Sequence, residues 1–462
     1  MNLGRIAGSF RDPSGFIFHR DGVLLRHVDL GYRESYDMLL ASGLYADLVA
    51  ERLLIPHQEV SIDYALSPGA YRVLQPDRVG FISYPYCWSF SQLKDAALAT
   101  LAIQRRAMAR GMTLRDASAY NMQFHEGRAV LIDTLSFEPY TEGEPWVAYR
   151  QFCQHFLAPL LLVSRVDPRL AGLMSVHLDG IPLDLASAML PKRGWLRFST
   201  LLHVHLHARS IRRHASTSKG ELQRLQRPVS RAGLLGLVDN LESAIRSLDW
   251  NPTGTEWADY ESEHGYGDDG LEEKRRMVRE LIATIAPVTV WDLGANTGIF
   301  SRIASESCAQ VVAFDVDRAA VERNYLRARA AGERNLLPLV MDLTNPSPAL
   351  GWAHEERLSL VARGPADLVL ALALIHHLAI SNNVPLDDVA SFFASIGKEL
   401  VIEFVPKSDP QVQRLLVSRK DIFDEYHAEG FESSFRRHFD FVTAQPVVGT
   451  ERVLYHMKRC GR

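Results

Sequence analysis

From residue 287 onward, short apolar runs alternate with longer amphipathic stretches. The runs VTVWDL, AQVVAFD, LLPLVMD, ADLVLALAL and ELVIEFVP have the length of strands. They are continuously apolar, not alternating, which suits strands covered on both faces. A parallel sheet of α/β class follows. The chain closes with FDFVTAQPVVG and TERVLYHMKR, joined by a Gly-Thr turn, which predicts a terminal antiparallel hairpin. Ahead of the sheet, LEEKRRMVRELIATIAP sets Leu271, Val278, Leu281, Ile282 and Ile285 on one helical face.

The earlier part of the chain has a different texture. Residues 1–145 mix strand-like runs such as GFIFHRDGVLLRHV with helices such as SQLKDAALATLAIQRRAMARG. Residues 146–250 read as a helical extension with a basic linker. The turn-rich stretch NPTGTEWADYESEHGYGDDG then marks a boundary. Three regions are expected: 1–145, α+β; 146–250, helical; and 251–462, the α/β sheet.

Composition narrows the classes. The net charge of −4 gives no global field that would point to nucleic acid as partner. Between 205 and 231, seven Lys or Arg face one acid, Glu221, as a solvated helical face or a basic docking surface. The four cysteines, Cys87, Cys153, Cys308 and Cys460, form no CxxC pair, so a reducing cytoplasm is expected. No signal-peptide core and no membrane-length apolar run are evident; LAPLLLV at 157–163 suits a buried helix. His203, His205 and His207 would splay around a helix, so no metal site is expected from them.

The chemistry concentrates in VWDLGANTGIF, residues 290–300. A strand ends there, a glycine turn follows and a helix starts near Gly298. Ligands bind at such a place in doubly wound sheets. The spacing Gly294-x-x-x-Gly298, with Asn296 between, departs from the G-x-G-x-x-G of dinucleotide sites. It resembles the first motif of class I S-adenosylmethionine-dependent methyltransferases, with Asn at the middle glycine. Further acids follow in that family's order. Asp315 ends the second strand, with Asp317 as alternate, Asp342 ends the third, and ADLVLALALIHHL matches the fourth. The resemblance implies a Rossmann-like sheet and S-adenosylmethionine as cofactor. Asp292 and Asn296 would meet its amino-acid end, Asp315 the ribose hydroxyls and Asp342 the adenine amine, with Gly294 and Gly298 allowing close approach.

Methyl transfer from a sulfonium asks mainly for alignment, so a base is optional. His376, His377 and Glu403 are the candidates; alternatively the histidines pack against the cofactor loop and Glu403 is a wall carboxylate. Trp257, Tyr260 and Tyr266 form a candidate lid, whose rings would favour a sulfonium, or an interdomain packing cluster.

In the N-terminal region, Asp116, Asn121 and Asp133 in MTLRDASAYNMQFHEGRAVLIDT resemble the catalytic loop and metal-binding Asp of kinase-like phosphotransferases. That resemblance implies Asp116 as base and a magnesium site at Asn121 and Asp133. It lacks a glycine-rich loop and the strand lysine, where Arg26 stands instead, and Thr134-Leu135 follow Asp133 in place of Phe-Gly. Through ISYPYCWSFSQLKDAAL, DASAYN, LIDTLSFEP and TVWDLGANTG, the whole chain is similar to bacterial methyltransferases of the NoeA nodulation-protein type. The expected function is methyl transfer to an O or N of an acceptor, by analogy a saccharide or cell-surface precursor. The alternatives are a bifunctional phosphotransferase and methyltransferase, or a non-catalytic S-adenosylmethionine-binding scaffold.

Overall fold

The computed structural model describes residues 4–191, 228–252, 268–417 and 419–461. It divides into two units. One comprises Met1–Asn251 with Gly351–Arg357; the other comprises Pro252–Leu350 with Leu358–Arg462.

In the first unit, β1 (Gly15–Arg20) and β2 (Val23–Asp29) form an antiparallel hairpin. The two turn residues, Asp21 and Gly22, both have positive φ, the geometry that matches the twist of paired strands. β3 (His57–Val60) and β4 (Ala70–Pro76) complete a four-stranded sheet ordered β1-β2-β4-β3. The helix Phe90–Ala109 follows. Its start is fixed by a capping box, in which Ser89 and Gln92 each accept from the other's backbone N–H. Two small antiparallel pairs then form: β5 (Met112–Leu114) with β8 (Phe137–Pro139), and β6 (Met122–His125) with β7 (Arg128–Leu131). Further helices include Ala158–Arg165, whose residues Ala158 to Val163 are buried, and Arg231–Arg246. No helix of the described residues is long and apolar enough to cross a membrane.

The second unit opens with the helix Asp268–Ile285. β9 (Thr289–Leu293), β10 (Gln310–Asp315), β11 (Leu336–Val340), β12 (Ala366–Ala371) and β13 (Gly397–Phe404) are joined in parallel. β14 (Phe439–Pro446) and β15 (Val453–Arg459) form the antiparallel hairpin, with β15 paired to β13. The order is β11-β10-β9-β12-β13-β15-β14. Every residue of β11 is buried, as its unbroken apolar run requires. Pro338 sits within it and is tolerated because β11 is the outermost strand, where a missing N–H breaks no ladder. β14, the opposite edge, alternates toward water along much of its length. A core of Val290, Val311, Leu368, Leu370, Val401 and Leu454 joins the strands to Val278 and Ile282 of the opening helix.

The chain builds outward from β9 to β11, then returns to β12 on the other side of β9. That reversal opens a crevice beyond the C-terminal ends of β9 and β12.

Candidate cofactor site

The turn after β9 lies at that crevice. Gly294, Asn296 and Gly298 all have positive φ, 73°, 49° and 83°. Gly298 is needed for space as well as conformation. A Cβ there would come within 2.5 Å of the Asn324 side chain, so the turn and the helix Arg318–Ala331 close on each other only through glycine. Gly298 caps the helix Ile299–Ser305.

A cavity of about 430 Å³ opens against this turn. Asp292, Gly294, Asn296, Asp315, Asp342 and His377 are among the residues lining it. Five of the six sequence-predicted cofactor residues therefore share one wall system, and the sixth, Gly298, supports the turn from behind. Asp292 is buried, with its carboxylate accepting from the Ser301 hydroxyl at 2.5 Å. Asp315 accepts from the backbone N–H groups of Asn296 at 2.7 Å and Asp317 at 2.8 Å, so it shapes the turn as well as lining the cavity. Asp317 instead caps the helix Arg318–Ala331 by accepting from the Ala319 N–H. Asp342 lies two residues past β11, exposed, and accepts from the N–H and hydroxyl of Thr344 at 2.8 and 2.6 Å.

Burial pushes the Asp292 carboxyl up to about 6, against the bond from Ser301 and with the charge of Asp315. Burial also pushes Asp315 up to about 6, against its two backbone donors. Both carboxylates therefore gain from a cation or from hydroxyl donors placed in the cavity. A diphosphate would meet Asp292, Asp315 and Asp342, with Lys274 as the one Lys or Arg among the described lining residues and its own charge disfavoured by burial. These acceptor carboxylates suit a cationic nucleoside with hydroxyls better than a diphosphate.

The candidate bases separate. The histidines lie beyond the end of β12, on a helical turn that runs into a π-helical stretch, His377–Ser381. His377 lines the cavity, and burial pushes its imidazole down to about 4. His376 is buried behind it, with ring centroids 4.1 Å apart and neither ring nitrogen hydrogen-bonded. Burial, His377, Arg452 and Lys274 hold it neutral. Glu403 is not at the cavity wall. It is fully buried and pairs with Lys274 Nζ at 2.7 Å. Its other oxygen is 4.0 Å from Arg452, which in turn holds Asp409 at 2.7 and 3.1 Å.

Lys274 is the residue that the sequence reading missed. It lies between Leu271 and Val278 on the apolar face of its helix, where the three- and four-residue spacing calls for another apolar side chain. A lone Lys at such a position was the available signal. Trp257, Tyr260 and Tyr266 lie outside the described residues, as do His203, His205, His207 and most of the basic stretch 205–231.

The N-terminal constellation is also brought together. Asp116 accepts from the Ser118 N–H at 2.9 Å and is bonded by Asn121 and Gln151. Asn121 lies 3.5 Å from the Ser136 hydroxyl. Asp133, however, is committed internally: one oxygen pairs with Arg26 and the other accepts from Ser136. Burial works against its charge, but Arg26 and Ser136 outweigh it and hold the carboxyl below its ordinary value. Arg26 thus stands on β2 as the partner of the acid that the phosphotransferase resemblance assigns to metal.

The parallel strands ordered three-two-one-four-five, the reversed seventh strand beside the fifth, and the acid-lined glycine turn define the second unit as a class I S-adenosylmethionine-dependent methyltransferase domain. No family model matches the chain. It is 36% identical over 464 residues to the nodulation protein NoeA of Rhizobium meliloti strain 1021, covering 99% of this chain and 96% of that protein. The chain belongs to the NoeA family. Among solved structures, the N-methyltransferase NodS of Bradyrhizobium japonicum WM9 aligns with a TM-score of 0.32 at 13% identity, over 42% of this chain and 98% of that one. The magnesium protoporphyrin IX methyltransferase ChlM of Synechocystis PCC 6803 gives 0.31 at 16%, over 43% and 93%. At such scores neither likeness carries an argument, and the class rests on the sheet order and the cavity.

Two outcomes follow from these charges. Since ligand contact favours ionised Asp292 and Asp315, the bound carboxyls fall below their free value of about 6. S-adenosylhomocysteine affinity should be flat above pH 7 and weaken about tenfold per pH unit below 6 for each carboxylate required, read by calorimetry. In the first unit, Arg26→Met leaves Asp133 buried without its cation. It should cost about 3–5 kcal/mol in urea unfolding.

Proposed function

We propose that this protein transfers a methyl group from S-adenosylmethionine to an oxygen or nitrogen of a small acceptor. The supporting observation is the set of carboxylates, Asp292, Asp315 and Asp342, spread along one cavity at the ends of three neighbouring parallel strands. In this reading Asp292 takes the ammonium of the amino-acid end, Asp315 the ribose hydroxyls and Asp342 the adenine amine. Gly298 lets the turn close on the helix Arg318–Ala331 behind the cavity, because a side chain there would displace Asn324. The sulfonium cofactor, when bound, supplies an already activated methyl.

What the chain must add is alignment, exclusion of water and a place for a proton. Leu372, Leu374, Leu378 and Leu415 supply an apolar part of the wall that excludes water. His377 is neutral at physiological pH, because burial disfavours its cation, so its imidazole has a lone pair to accept a proton from an acceptor O–H or N–H. Glu403 is not available for that step while Lys274 and Arg452 hold it.

For the acceptor we take a saccharide or cell-surface precursor, by analogy only with the nodulation role in the NoeA relative's name. We assign the first unit to acceptor recognition. The Arg26–Asp133 pair favours a structural role for its kinase-like constellation over phosphoryl transfer.

Incubation of the protein with isotope-labelled S-adenosylmethionine and cell-surface saccharide fractions should label a saccharide fraction. Asp315→Ala should weaken S-adenosylhomocysteine binding about 100-fold, the scale of two lost hydrogen bonds to a charged group. Unchanged binding would sink the site. His377→Gln should lower kcat by about 100-fold or more if it takes the proton, with a pH profile that loses its acidic limb. An unchanged kcat would assign His377 to the wall.

A further inference from the structure

Resting on the cofactor reading above, we propose that Ser381 and Asn382 form the acceptor subsite, and that the acceptor is a neutral, polyhydroxylated molecule of saccharide class. In that reading the cofactor takes the acids at the ends of β11, β10 and β9. β12 is the next strand in the sheet, and the stretch beyond it supplies His377, Leu378, Ser381 and Asn382 to the same cavity. This is the part of the wall that the cofactor assignments leave unused.

Ser381 carries an unmet demand. Its hydroxyl oxygen is screened from solvent and has no hydrogen-bond partner in the protein. Such groups are few in native folds and call for a cause, because an unpaired buried hydroxyl costs stability. The backbone around it is also held in an uncommon form. His377–Ser381 is π-helical, a conformation found mostly as single turns and frequently at functional sites. Ala373 before it and Asn383 after it both have positive φ, 51° and 56°. For Ala373 that is a strained geometry, of the kind that clusters where a site must be shaped. Asn382 Nδ2 donates to the His377 carbonyl at 2.8 Å. Arg419 donates to the Ile380 carbonyl and, at 3.4 Å, to Asn383 Oδ1. These bonds hold the turn in this form.

The charges of the wall select the acceptor's chemistry. Asp292, Asp315 and Asp342 line the cavity, and Lys274, the one Lys or Arg among the described lining residues, is paired with Glu403. A singly positive cofactor does not offset three carboxylates, so an anionic acceptor would enter a negative field. The polar groups past β12 are a hydroxyl, an amide and a neutral imidazole, which exchange hydrogen bonds with hydroxyls without any net charge. Leu374, Leu378 and Leu415 add apolar wall to the same cavity. A carbon ring bearing hydroxyls satisfies both kinds of surface.

The test uses the full chain loaded with S-adenosylhomocysteine and titrates two defined probes by saturation-transfer NMR. One is methyl α-mannopyranoside, which is neutral; the other is its uronate counterpart, an anion. The neutral glycoside should bind, and the uronate should bind at least about 10-fold more weakly. Ser381→Ala should weaken the neutral glycoside about 10-fold, the scale of one hydrogen bond, while S-adenosylhomocysteine affinity stays within about twofold. The same variant should keep or raise its urea midpoint, because it removes an unpaired buried hydroxyl. A lowered midpoint would mark a structural role for Ser381 and overturn the proposal. No binding of the neutral glycoside, uronate binding as tight or tighter, or an unchanged glycoside affinity in Ser381→Ala would each overturn it too. Failure of the unsubstituted chain to bind S-adenosylhomocysteine would instead overturn the cofactor reading itself.

Discussion

Ionised side chains held away from water need compensation, and the second unit is arranged around that requirement. Asp292 and Asp315 stand at the ends of neighbouring strands, with burial raising both carboxyls. The backbone and Ser301 answer part of their demand. The remainder is what makes the cavity receptive to a cation with hydroxyls. One layer back, the same requirement links Lys274, Glu403, Arg452 and Asp409 into a neutral series. That series ties the opening helix to β13, to the residue just before β15 and to the cap of the helix Pro410–Leu416, whose Leu415 lines the cavity. Cofactor wall and sheet architecture are therefore one electrostatic construction.

The first unit treats its acids in the opposite way. Asp133 receives a full cation and a hydroxyl from within the unit, which leaves its carboxylate low and committed. The adjacent Asp116 is raised by burial and by the charge of Asp133, with Ser118, Asn121 and Gln151 bonding it. The same residue types that suggest metal chemistry in a sequence motif make a closed polar network when an arginine occupies the neighbouring strand.

Much of the sheet was legible because its cause is local. Strands covered on both faces must be apolar throughout, and VTVWDL, AQVVAFD and LLPLVMD could hardly be anything else. The glycine turn was legible for a similar reason, since spacing alone separated it from a dinucleotide loop. The two histidines were harder. Sequence set them together at a strand end, while the π-helical turn sends His377 to the cavity and His376 behind it. Glu403 and Lys274 lie 129 positions apart, so their pairing is a tertiary fact that no window of sequence contains. Taken alone, Glu403 is an acid near a strand end and Lys274 a single cation on an apolar helical face, and neither points to the other.

Pro338 has a consequence for the life of the protein in a crowded cell. An outer parallel strand that is apolar along its whole length is a natural template for recruiting another chain. A ring nitrogen in the middle of β11 cannot donate, so an incoming strand would find the ladder interrupted at its centre. The residue that costs the fold nothing at its margin thereby guards against fibrous self-association.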